Sequence, residues 1–130
     1  MFGPPGTAYV YFIYGNHYCF NVVTGNRGQG EAVLVRALEP ILGIDLMQLR
    51  RSRKNIRELT SGPGKLCQSL KIDLSLNGIS LLKPPLFIVD GGLLLGEKIA
   101  TSTRIGISKE KDKLLRFYLQ HNPHVSINRR

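Results

Sequence analysis

The chain has no tryptophan, and only two cysteines, two methionines and three histidines among its 130 residues. Two thiols, Cys19 and Cys67, are too few to frame a disulfide scaffold, and their spacing gives no zinc-ligand pattern. Reduced thiols in a cytosolic protein are the simpler expectation. Acid is scarce too: nine Asp and Glu stand against eighteen Lys and Arg, a formal charge of +9 at pH 7. No charged side chain occurs before Arg27. A secretory leader needs a basic start ahead of its apolar stretch, so this segment does not read as one. A membrane span needs about 20 mostly apolar residues. Here tyrosines, asparagines and glycines interrupt the run. The expectation is a soluble protein.

What is present is a basic, ordinarily globular composition, 42% hydrophobic, in a length that suits one domain at most. A chain of this size buries roughly two-thirds of its unfolded surface. The cationic excess suits a polyanionic partner, because surface cations draw in phosphates and release their counterions. Charge that serves solubility alone is the competing reading.

Residues 8–14 (AYVYFIY) are β-branched and aromatic, the composition of a packed strand. Gly15-Asn16 signals a turn, and residues 18–24 (YCFNVVT) a second strand, so the two predict a hairpin. Gly25, Asn26, Gly28 and Gly30 mark another turn, residues 32–38 (AVLVRAL) a third strand, and Pro40 its end. Leu42, Leu46 and Leu49 then fall on one helical face. Ser61 reads as the N-cap of a second helix, with Pro63 in its first turn and Leu66, Cys67 and Leu70 as its buried face. Residues 86–89, 99–107 and 114–119 read as further strands. Strands before and after helices predict a mixed α+β domain: a curved antiparallel sheet, a protruding hairpin and flanking helices.

Seven of the ten aromatic residues lie in the first 20 positions. Tyrosine offers a flat apolar face with a polar tip, which suits a hydrated pocket that stacks on a ring. Strand alternation puts Tyr9, Tyr11 and Ile13 on one face and Val10 and Phe12 on the other. Tyr9 and Tyr18 read as core residues, and Cys19 as packing. Arg36, flanked by Val35 and Ala37, is costly to bury without a partner and reads as a site residue. Lys65, in a first helical turn with free backbone N–H groups, reads as a phosphate cradle or a solvated lysine. The basic cluster from Arg50 to Arg57 reads equally as a solvated face or a contact to a phosphate backbone. His121 and His124 read as surface residues.

Taken in order, MFGPPGTAYVYFIYGNHYCFNVVT, AVLVRALEP, SGPGKLCQSL, TRIGI and LLRFYL resemble the alkyladenine (3-methyladenine) DNA glycosylase family over nearly the whole chain. The resemblance implies a monofunctional hydrolase of base-excision repair, without metal or organic cofactor. It flips an alkylated or deaminated purine out of duplex DNA and hydrolyses the N-glycosidic bond. Tyr11 matches the tyrosine that stacks on the flipped base, and Tyr14 the wedge that fills the gap. Asn21 matches the asparagine that disfavours guanine's exocyclic amine. Arg36 matches the arginine beside the nucleophilic water and a phosphate, and the backbone carbonyl of Ile105 another contact to that water. Lys65 matches a phosphate-contacting lysine, while Asn16 and His17 fall at hairpin positions that touch DNA. Implied too are a monomer, double-stranded DNA with damaged purines as partner, and a cytoplasmic place on the bacterial nucleoid.

Water is a poor nucleophile until a base takes its proton or a carboxylate orients it. In the family that glutamate precedes the first motif block, with a tyrosine and a histidine of the pocket. The first acid here is Glu31, and the resemblance gives Glu39 no such role. The expectation is a partial domain lacking its N-terminal segment, inactive alone. Two further readings stay open: a non-catalytic DNA-binding module recognising distorted duplex, and an RNA-binding domain.

Overall fold

Alternation in residues 8–24, broken by Gly15, produces the first two strands of a meander. In the computed structural model, which describes residues 3–26, 28–104 and 113–125, these are β1 (Ala8–Ile13) and β2 (His17–Thr24). β3 (Glu31–Leu34) completes an antiparallel sheet of order β1-β2-β3. Tyr14 (φ 57°) and Gly15 (φ 73°) are both left-handed at the hairpin tip. They turn the chain within a three-residue connection, where Asn16 N–H comes back to the Ile13 carbonyl at 3.4 Å. After the meander come α1 (Ile44–Arg51), α2 (Pro63–Leu70) and a separate antiparallel ribbon of β4 (Ile99–Ser102) and β5 (Arg116–Leu119). The α+β class with a protruding hairpin and flanking helices stands.

Register divides the meander into two unlike sides. Ala8, Val10 and Phe20 point to one side, where they meet Leu66 and Cys67 of α2 together with Ile72 and Leu81. Leu66 is fully buried, and burial of such a side chain contributes about 1.5–3 kcal/mol. Tyr9, Tyr11, Cys19 and Asn21 point to the other side. A one-residue slip would exchange these sets, so the apolar face itself specifies the pairing.

Several expected details move. The N-cap of α2 is Gly62, in extended backbone and with no side-chain cap, and not Ser61; Pro63 takes the first helical position. Leu66 and Cys67 are buried as expected, whereas Leu70 is only half-buried and Ser69 is fully so. The predicted apolar face of α1 is turned outward: Leu42, Leu46 and Leu49 are exposed and Met47 is the buried residue. Left-handed Gly43 starts the helix after Leu42, and polar links to α2 hold the helix with Met47 inward. Residues 86–89 form no strand. They follow Lys83-Pro84-Pro85, and Phe87, Ile88 and Val89 are exposed. β-propensity reflects packing on neighbours, and no described strand lies beside them. β4 and β5 are shorter than predicted, and residues 105–112 lie outside the described ones. No helix among the described residues is long and apolar enough to cross a membrane.

Candidate nucleic-acid interface

The polar side of the meander carries two cross-strand rows. Tyr11 is opposite Cys19, and Tyr9 is opposite Asn21, which in turn faces Leu34. The ladder continues one step past β3, where Val35 N–H donates to the Phe20 carbonyl at 2.9 Å. That step sets Arg36 opposite Cys19, so Tyr11, Cys19 and Arg36 form one row. Tyr11, Asn21 and Arg36 therefore share one side of one sheet, with the Cys19 thiol between them.

Each member is partly withdrawn from water. The Tyr11 ring lies 5.3 Å from that of Tyr9. Burial, then the neighbouring Cys19, push the Tyr11 hydroxyl's pKa up, with smaller contributions from Tyr9 and Tyr14. Tyr11 thus stays a neutral phenol at physiological pH. Asn21 is 7% exposed, and its Nδ2 donates to the Tyr9 carbonyl at 3.3 Å. One amide edge is held to the backbone, which fixes the plane of the other. Burial, then the Arg116 charge, pull the Arg36 guanidinium's pKa down, while Cys19 acts the other way. Cys19 is buried, as its expected packing role requires.

A second group gathers where the hairpin tip meets α2. Tyr14 is 86% exposed, and Asn16 and His17 are exposed beside it. The His17 ring lies against the start of the helix, where a β-carbon at Gly64 would stand 2.8 Å from Nδ1. Lys65, one residue on, is exposed, and its stem runs past Gly62. Tyr14, Asn16, His17 and Lys65 are thereby brought into one region, with the free N–H groups of a helix start beside them.

The basic cluster separates into two kinds of residue. Arg50 Nη1 donates to the Ser69 carbonyl at 2.9 Å, and Arg51 donates to Gln68 Oε1 and to the Glu58 carbonyl, both at 2.9 Å. These two tie α1 to α2 and the intervening loop. Arg53, Lys54 and Arg57 are exposed. Ile105, expected to offer a carbonyl, lies outside the described residues. His121 is exposed, whereas His124 is half-buried. Glu31 points to the opposite side of β3 from Arg36. Glu39 Oε1 accepts from Asn122 Nδ2 at 2.9 Å. A cleft of about 510 Å³ among Gly3, Pro4, Thr7, Asn77 and Leu82 touches none of Tyr11, Asn21 or Arg36.

One buried cation went unread in the sequence. Arg116, at the start of β5, is 7% exposed, with its guanidinium carbon 4.3 Å from the Tyr118 ring centroid. The arginine–x–tyrosine spacing in RFYL, which puts both side chains on one strand face, was the signal available.

A family profile described as methylpurine-DNA glycosylase (MPG) matches residues 1–123. A protein of Carboxydothermus hydrogenoformans is 58% identical over 127 residues, covering 97% of this chain and 66% of its own length. One from Methanoculleus marisnigri is 55% identical over 129 residues, and one from Francisella tularensis 52% identical over 129. Each of those two matches covers 97% of this chain and 67% of the relative. All three bear the provisional name 3-methyladenine DNA glycosylase. The chain thus spans about two thirds of the length of these relatives.

Proposed function

Starting from the fact that this chain belongs to the methylpurine-DNA glycosylase family, we propose that it is the base-holding part of a repair glycosylase for alkylated or deaminated purines in double-stranded DNA. The observation that carries the reading is one sheet side shared by Tyr11, Asn21 and Arg36, next to an exposed tip bearing Tyr14. Tyr11 stacks on the flipped base, which recovers about 1–3 kcal/mol. Flipping itself costs a few kcal/mol, less for a damaged base. Tyr14 fills the vacated space in the duplex. The buried amide of Asn21 narrows the pocket against guanine's exocyclic amine. Arg36 takes a phosphate beside the reacting bond, and Asn16, His17 and Lys65 follow the DNA backbone as the protein acts as a monomer.

Hydrolysis also needs a group to orient water. Glu31 is on the wrong side of the sheet and Glu39 is engaged by Asn122, so neither is placed to serve beside Arg36. The 130-residue chain alone is accordingly expected to hold a base without releasing it. That placement favours a second reading, a non-catalytic module for distorted duplex.

Binding by the full chain to abasic-analogue, mismatched and intact duplexes, and to single-stranded RNA, tests the proposal. Preference for the damaged duplexes is expected. Equal affinity for all, or tight binding to RNA alone, overturns it. Single-turnover release of hypoxanthine from duplex DNA by this chain would overturn the inactivity claim alone.

A further inference from the structure

Arg36 lies beyond the end of β3, in a stretch without regular secondary structure, yet its backbone is tethered on both sides. Before it, Val35 N–H donates to the Phe20 carbonyl at 2.9 Å. After it, Thr60 engages both polar groups of Leu38. The Leu38 N–H donates to the Thr60 carbonyl at 3.0 Å, and the Thr60 hydroxyl donates to the Leu38 carbonyl. Only Arg36 and Ala37 separate the two tethers. A backbone held so closely at both ends leaves few conformations to the residues between, and a side chain can be aimed no better than its own Cα is fixed.

Thr60 is itself anchored. It is 1% exposed, next to fully buried Leu59 and just ahead of α2. The hydroxyl of Ser69 in α2, also fully buried, donates to the Leu59 carbonyl. Buried hydroxyls are costly unless bonded, and these two are both bonded to backbone carbonyls. α2 in turn packs through Leu66 and Cys67 on Val10 and Phe20 of the meander. Contacts thus run from the helix that carries Lys65, through Ser69 and Thr60, to the stretch that carries Arg36.

We propose that Thr60 is a positioning residue for Arg36, its hydroxyl and carbonyl clamping Leu38 so that the guanidinium is kept on the Tyr11 side of the meander. What Arg36 takes there, a DNA phosphate, rests on the function proposed above; the clamp does not.

The test observes Arg36 directly in the full chain. Its Nε is buried, so exchange of the Nε–H with solvent, followed by NMR without DNA, reports local opening around it. The signal is assigned by its loss in Arg36→Gln. The Val10 N–H, which donates to Asn77 Oδ1 at 2.9 Å on the opposite edge strand of the sheet, is the control. Thr60→Val is expected to speed exchange at Arg36 about tenfold and at Val10 much less. Thr60→Ser, which keeps the hydroxyl, should restore the slow rate. Equal acceleration at Arg36 and Val10, or none at Arg36, assigns Thr60 to general stability and overturns the proposal. Binding of an abasic-analogue duplex is then measured for Thr60→Val, Arg36→Gln and the double variant. Thr60→Val should weaken binding about fivefold alone and add nothing to Arg36→Gln. Full additivity shows that Thr60 does not act through Arg36 and overturns the proposal. If Arg36→Gln leaves duplex binding unchanged, the phosphate reading of Arg36 fails, while the exchange rates still decide the clamp. Should Thr60→Val not fold, Ser69→Ala replaces it: a smaller acceleration confined to Arg36 is expected, and an unchanged rate overturns the proposal.

Discussion

His17 and Gly64 fit together only because residue 64 has no side chain: an added β-carbon would meet the imidazole Nδ1 at 2.8 Å and Cγ at 3.1 Å. Gly64 is helical, so alanine is not excluded by backbone geometry and would gain up to about 1 kcal/mol of helix propensity. Overpacking against a ring costs about 1–3 kcal/mol. The crowding wins, and the ring is the part that can give. Gly64→Ala is therefore expected to displace the hairpin tip and weaken duplex binding more than it lowers the thermal midpoint. His17→Ala in the same background should recover part of the stability, and the coupling is read from a double-mutant cycle. Strict additivity of the two changes would refute the contact.

Tyr14 is a nearly free side chain in an unfavourable backbone region. Its left-handed φ costs about 1–3 kcal/mol for a residue other than glycine. Tyr14→Gly should accordingly leave the folded chain as stable as wild type or more so. Preference for abasic over intact duplex should fall about tenfold, the worth of one stacked base. Denaturation and anisotropy measured on the same preparation decide this. A loss of stability without loss of preference would show that Tyr14 serves the fold.

Arg50 and Arg57 look alike in the sequence and differ in the structure. Arg50→Ala removes a hydrogen bond to the Ser69 carbonyl and leaves that acceptor part-buried, a loss of about 1–2 kcal/mol. Arg57 is exposed, and its alanine variant should change stability by about 0.5 kcal/mol or less. Urea midpoints of the two variants make the comparison. Equal midpoints would remove the structural assignment of Arg50.

Cys67 supplies a pH dependence. Burial first, then Cys19, push its thiol up to about 12, against a backbone hydrogen bond from Phe20 that acts the other way. A free thiol titrates near ~8.5 in the unfolded chain. The folded value is the higher one, so this contribution is whole below that pH and is lost as pH climbs from about 8.5 toward 12. The decline is at most about 1.4 kcal/mol per pH unit. Urea unfolding at pH 8, 9 and 10 should show it in wild type and a shallower decline in Cys67→Ala. Alkylation of native Cys67 at pH 9 should be slow, since the thiolate is the reactive form.

The meander was legible because its code is short-range: alternation with period two, and a glycine where the chain must turn left-handed. The helix start at Pro63 was legible for the same reason, to within one residue of its cap. α1 shows where this stops. Leu42, Leu46 and Leu49 do define a face, but periodicity names a stripe without saying whether anything packs on it; Met47 was chosen by α2. Residues 86–89 have strand composition but no partner strand among the described residues, and pairing is a property of two segments. Tyr11, Asn21 and Arg36 could be nominated from the motifs, yet their meeting on one side depends on a register running from β1 to the residue after β3. Arg116 escaped notice between Leu115 and Phe117, because only the strand pairing reveals that it turns inward with Tyr118.

The tip of the first hairpin is already bent into its final shape by two consecutive left-handed residues. With that bend already made, little of it remains to be formed when the tip enters a crevice. Deformation during such an encounter then falls on the softer body, the double helix, whose resistance varies from one base step to the next. Under the proposed function, sites whose stacking is already weakened would yield first, and a preformed loop would sort them without reading a single base edge.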